Sequence, residues 1–149
     1  MTRGPVTRAR RRVTNTLTVT LRVPGYRDFA FAATALRVPV DDGELLIEPG
    51  GGDFRADLDI GPLTVHAGSR DWLAAVHGGH LRVRNDVIDI DAVAIEFADR
   101  IDVRRARAAQ GDAAERLRED RGDDDALSAL RRANLRLAVA ARVRPVAGR

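Results

Sequence analysis

The segment FADRIDVRRARAAQGDAAERLRE, residues 97–119, decides the fold, because it is where the chain changes its hydrophobic period. From Val103 onward apolar residues recur three or four apart, at Val103, Ala106, Ala109 or Gln110, Ala113 and Leu117, which predicts an amphipathic helix running to about Glu119. Asp102 stands where an N-cap belongs, and Gly111 weakens the helix by about 1 kcal/mol relative to alanine. Arg121-Gly122-Asp123 reads as a stop and turn, after which Asp124 or Asp125 can cap a second helix. Its predicted apolar stripe is Leu127, Leu130, Asn134, Leu137 and Ala141, and Pro145 ends it. Two such helices joined by a few polar residues predict an antiparallel hairpin.

Working back from Phe97, the texture is that of strands. Leu17, Val19, Leu21 and Val23 alternate with Thr18, Thr20 and Arg22, the period-two pattern of a half-buried strand, and Pro24-Gly25 stops it. Short apolar runs follow at 29–31, 35–38, 45–47, 58–60, 63–65 and 72–76, with breaks at Asp42-Gly43, Pro49-Gly50-Gly51-Gly52, Gly61-Pro62 and Gly78-Gly79. Leu81 and Val83, then Asn85-Asp86, then Val87, Ile88 and Ile90 read as a hairpin with a tight turn. Short strands punctuated in this way predict a β-sandwich or barrel. The expected class is therefore α+β, an antiparallel β-sandwich followed by a two-helix hairpin. Its parts are a disordered basic arm at 1–14, the sandwich at 15–99, the hairpin at 100–144 and a tail at 145–149.

Composition narrows the function. The chain has 149 residues and no cysteine, which excludes thiolate metal sites, disulfides and cysteine nucleophiles. No apolar run reaches eighteen residues, and the basic N-terminus lacks the apolar segment of a secretory signal, so neither membrane insertion nor export is expected. Every basic residue is arginine; Arg3, Arg8, Arg10, Arg11 and Arg12 crowd the start, while the rest carries 20 arginines against 22 acids. His66, His77 and His80 read as strand or turn histidines rather than as metal ligands. The Gly50 to Gly52 run lacks the lysine and helix of a phosphate loop, and no serine–histidine–acid arrangement stands out.

The order of elements, with specific residues in place, resembles the ATP synthase epsilon family. Pro24, Phe29, Ala35 to Val38, Pro39, Asp42-Gly43 and Pro49-Gly50 fall at the spacing of that family's first strands and turns. Gly61 and Leu63, the VHGGHLRV segment at 76–83, ADRIDVRRARA at 98–108 and RRANLRLA at 131–138 continue the likeness, which covers about residues 16 to 142. Gly51-Gly52-Asp53 departs from the family's usual histidine-alanine-proline, and Asp53-Phe54 resembles its alternate, N-type branch. The basic arm has no counterpart.

The resemblance implies a rotor subunit that performs no covalent chemistry. It would join the gamma subunit to the c-ring during proton-driven ATP synthesis, at the cytoplasmic face of the inner membrane and without inserting into it. Asp41, Asp42, Gly43 and Glu44 would form the turn facing the ring; the plain alternative is a polar hairpin turn. Ile101-Asp102-Val103-Arg104-Arg105-Ala106 matches the family's nucleotide motif, with Glu96, Arg132 and Arg136 matching further positions. Guanidinium groups grip phosphate oxygens, and an acid can accept from an adenine amine. The resemblance implies no required cofactor, and ATP would be a regulatory ligand. Asp112 stands where binding members carry a basic residue, and its carboxylate disfavours polyphosphate. The plain alternative is an N-cap aspartate with solvated arginines. A basic face of Arg131, Arg132, Arg136 and Arg142 would meet the catalytic alpha/beta subunits transiently and block hydrolysis.

The competing class is a nucleic-acid-binding β domain that uses the arginine arm for phosphate contacts. It lacks interleaved aromatics for base stacking and a second basic stripe.

Overall fold

Period-two patterning produces the first strand as expected: in β1 (Leu17–Arg22), Leu17, Val19 and Leu21 are buried while Thr18 faces solvent. The computed structural model describes residues 15–143, so the arm at 1–14 and the tail at 145–149 lie outside the described residues. Seven strands follow β1: β2 (Phe29–Ala33), β3 (Ala35–Val40), β4 (Gly43–Ile47), β5 (Phe54–Ala67), β6 (Arg70–Arg84), β7 (Val87–Ala92) and β8 (Ile95–Phe97). A 3-10 turn at Ala98–Arg100 leads into two helices, α1 (Val103–Glu119) and α2 (Asp124–Val143).

The strands run in the order β2-β1-β7-β6-β5-β3-β4, with β8 also on β6. Every pairing is antiparallel except that of β1 with β7, which is parallel, with Val19 opposite Ile88 and Leu21 opposite Ile90. Those two strands are connected through the rest of the sandwich, so no tight turn forces them antiparallel. One core unites Leu17, Val19, Ile88 and Ile90 from one side with Leu36, Val38, Leu63 and Val65 from the other.

Gly61-Pro62 and Gly78-Gly79 do not separate strands, contrary to expectation. β5 and β6 run through them as a single long hairpin of 14 and 15 residues, paired from Phe54 opposite Val83 to Ala67 opposite Arg70. The ladder keeps a single register across these glycines, with Gly78 and Gly79 at positive φ, instead of ending there. Gly79 has φ +138°, and a Cβ there would overlap the Asp91 carbonyl oxygen and stand 2.8 Å from Ala92 Cα. The absence of a side chain thus lets β7 lie against the far half of β6 while β8 takes the near half. By contrast, Asn85 and Asp86 form the expected tight turn, with φ of 50° and 63°.

In β6 the alternation sorts side chains between two cores. Ala74 and Val76 face the sandwich interior. Leu73 and Ala75 face the other way, into a second cluster with Ala98, Ile101, Val139 and Ala140. This cluster seats α2 on the sandwich.

The stripe predicted for α2 is rotated. Leu127 is 49% exposed and Asn134 and Ala141 face solvent, whereas Ala126 and Ala133 are fully buried and Val139 and Ala140 nearly so. Small side chains, Ala126 and Ala133 on α2 with Ala106 and Ala113 on α1, form the seam and let the backbones approach. The larger leucines are left at its margins, and Gln110 Nε2 donates to Asn134 Oδ1 at 2.7 Å across it. The cap of α2 is also displaced: Asp123, not Asp124 or Asp125, accepts from Ala126 N at 3.0 Å and takes Arg116 at 3.0 Å. These interactions, led by the backbone N–H of Ala126, hold the Asp123 carboxyl below its ordinary value.

Candidate functional site

Docking of α2 brings β8, the 3-10 turn and both helices around a cavity of about 490 Å³. Glu96, Arg100, Asp102, Arg105, Ala106, Ala109 and Arg136 line it. Four of the five residues matched to the nucleotide motif therefore converge, although Glu96 and Arg136 are forty residues apart in sequence. Arg132 is not among the lining residues, and neither is Asp112, which is exposed on α1. Arg100 is a lining cation that motif matching passed over, since a residue in a 3-10 turn carries no periodic signal.

Asp102 performs the duty assigned to it by the plain alternative: its Oδ1 accepts from Arg105 N at 3.1 Å and caps α1. The cap orients the first turn so that the Arg105 side chain borders the cavity. Glu96 is the hub. Its Oε1 receives Arg136 Nε at 2.6 Å and faces His77 Nε2 at 2.9 Å. Burial alone would raise the Glu96 carboxyl, but the hydrogen bonds from Arg136 and His77 outweigh it and hold the group below its ordinary value. Among the described residues, the cavity thus contains two arginines without a carboxylate bonded to their side chains, Arg100 and Arg105, and one arginine already held by Glu96.

His77 is a strand histidine, as the sequence predicts. It lies on the same side of β6 as Leu73 and Ala75, under α2, with only 4% of its side chain exposed. Two-residue spacing from Leu73 and Ala75 was the available signal. Burial pushes its imidazole down, the hydrogen bond to Glu96 opposes this, and the nearby Arg136 and Arg132 add to the fall. His66 and His80 have separate acidic partners, Asp71 at 2.8 Å and Asp91 at 3.5 Å.

At one end of the sandwich, Asp41 and Asp42 form the exposed β3–β4 turn, with Val40 opposite Gly43 and Pro39 opposite Glu44. Gly43 adopts φ +127°, and Glu44 is 3.4 Å from Arg37. Pro39 packs so closely on Gly61 that a Cβ on that glycine would collide with it. Asp41 also lines a groove of about 370 Å³ with Asp57 and Asp59.

The arginines of the proposed basic face divide. Arg131 reaches Asp59 at 3.2 Å and Arg136 reaches Glu96, so both are engaged by the sandwich; Arg132 lies half-buried near His77, and Arg142 is exposed. A more open cavity of about 600 Å³ on β1, β5, β6 and β7 is lined by charged side chains and spanned by the Arg22–Asp89 pair at 2.9 Å. None of the motif-matched residues lies there.

Residues 16–98 match the family model described as ATP synthase, Delta/Epsilon chain, beta-sandwich domain. The chain is 38% identical over 130 residues to the ATP synthase epsilon chain of Synechococcus elongatus, covering 83% of this chain and 94% of that one. It is 40% identical over 111 residues to the ATP synthase epsilon chain of Bacillus velezensis, covering 74% and 81%. Its fold is similar to a chain in the Euglena gracilis mitochondrial ATP synthase structure of OSCP, F1 and c-ring, with TM-score 0.76 and 20% identity over 93% of this chain and 90% of that one.

Proposed function

The chain belongs to the ATP synthase epsilon family, and on that premise we propose that it is a non-catalytic part of the rotor, joining the gamma subunit to the c-ring. The observation that supports this reading is the β3–β4 turn. Asp41 and Asp42 project from the end of a sandwich whose turn base is braced by the Pro39–Gly61 contact. A stiff body with charged groups at its tip can transmit torque, because packed interiors deform little under load. Among the described residues no helix is long and apolar enough to cross a membrane. Attachment is through protein partners, at the cytoplasmic face of the membrane.

The hairpin is the regulatory part of the proposal. Arg100, Arg105 and Arg136 supply donors for phosphate oxygens, Glu96 supplies an acceptor for an adenine amine, and the cavity lies where sandwich and hairpin meet. ATP bound there favours the docked hairpin by mass action. When α2 leaves the sandwich, Arg131 and Arg136 lose Asp59 and Glu96 and join Arg132 and Arg142 in a basic face. That face engages acids of the alpha/beta subunits and brakes hydrolysis. Docked and braking states compete for the same side chains.

Co-purification tests the rotor reading. A tagged chain expressed in its native cells should bring down gamma and the c-ring in stoichiometric yield, and recovery of the chain without either would overturn it.

A further inference from the structure

We propose that His77 is a proton-responsive positioning residue for the hairpin: its Nε2–H fixes the Glu96 oxygen that receives Arg136, and a second proton at Nδ1 loosens α2 from the sandwich. The proposal rests on the reading of the hairpin as an element that leaves the sandwich.

The geometry carries it. A carboxylate only accepts, so the 2.9 Å contact with Glu96 puts the neutral imidazole's proton on Nε2. Nδ1 is then a bare nitrogen, buried and without a hydrogen-bond partner among the described residues. Adding a proton there creates a buried donor with no acceptor. It also places a third cation beside the two arginines of α2, Arg132 and Arg136, with Glu96 of β8 as the facing anion among the described residues. Across the ladder β5 offers Ile60, which is apolar, and the preceding acid, Asp59, is held by Arg131. The cavity around Glu96 adds Arg100, Asp102 and Arg105. The docked form therefore favours neutral His77, while release of α2 uncovers the imidazole to water.

The sign follows from linkage. Burial and the α2 arginines depress the docked imidazole, so its contribution to docking is complete above the ordinary histidine value of about 6.5 and is lost as pH falls below it. If the released histidine titrates normally, the docked-to-released ratio falls by at most about fivefold between pH 6.5 and 5.5, the full factor being reached only when docked His77 stays neutral throughout. Glu96 is held below its ordinary value and stays charged through that window.

The chain has no native cysteine, so Ser69→Cys and Ala138→Cys permit a dye pair reporting on docking in the full-length protein. An Arg131→Ala background removes the Asp59 pair and brings the released form into range. The expected result is a fall in docking between pH 7.5 and 5.5 that disappears in His77→Gln, which keeps a donor for Glu96 and cannot gain a proton. A flat profile, or the same fall in His77→Gln, would overturn the proposal. NMR titration of His77 gives a second reading: a midpoint below that of an exposed histidine supports the device, and an ordinary one contradicts it. Adding Arg136→Ala separates the two claims. If that double variant releases α2 while the parent ignores pH, only the role of His77 fails; if it too stays docked, the movable hairpin is wrong and the proposal falls with it.

Discussion

Gly79→Ala should damage this protein more than the same methyl addition at the neighbouring Gly78. Two effects add. At φ +138° an L side chain is strained, which costs about 1–3 kcal/mol. The new methyl also meets backbone of β7, overlapping the Asp91 carbonyl oxygen and lying 2.8 Å from Ala92 Cα, where no rotamer offers relief. Such overpacking costs about 1–3 kcal/mol more. The expected total is about 4 kcal/mol, which for a chain of this size lowers the melting temperature by about 10 °C. Gly78→Ala is the control: φ is +89°, but the nearest atoms stand 3.9 Å from the added carbon, so strain alone remains, about 1–2 kcal/mol. Trp72, the only tryptophan, packs against the sandwich core and reports its unfolding by fluorescence. Equal destabilisation by the two variants, within about 0.5 kcal/mol, would refute the close approach of β7 to Gly79.

Ala133→Leu, at a fully buried seam position, should destabilise the hairpin by about 1–3 kcal/mol; helical circular dichroism should melt earlier while the Trp72 transition moves little. On the proposed nucleotide reading of the cavity, Arg105→Ala should weaken ATP binding about tenfold by calorimetry, while leaving α1 intact because the cap uses the backbone N–H of residue 105. The Glu96 carboxyl is depressed in the folded state, so its contribution is present above its ordinary value and is lost as pH falls through the folded one. Urea melts of Glu96→Gln between pH 5 and pH 3 should accordingly show a shallower loss of stability than those of the parent chain.

Local rules read much of this fold correctly. The alternation in β1 and the left-handed Asn85-Asp86 turn depend on neighbours in sequence. So does the Asp102 cap, which acts within three residues. Local patterning misleads where long-range packing decides the outcome. Gly61 and Gly78-Gly79 look like breaks until Pro39 and β7 are seen pressing on them. Leucine content drew the α2 stripe toward Leu127, whereas the close approach of α1 selected Ala126 and Ala133. For the site, the motif positions on α1 were legible, but the Glu96–Arg136 contact forms only when α2 docks, and His77 enters through its register on β6. The pairing of Arg131 with Asp59 carried no sequence signal either, since those residues lie on elements brought together only by tertiary packing.

The most direct test of the central claim uses F-type ATP synthase membranes from the native cells, stripped of this chain and then given it back at full length. The account predicts that ATP-driven ion pumping is lost on removal and restored by the added chain in proportion to its rebinding. Pumping that survives removal, or that fails to return when the chain rebinds, would contradict a coupling role.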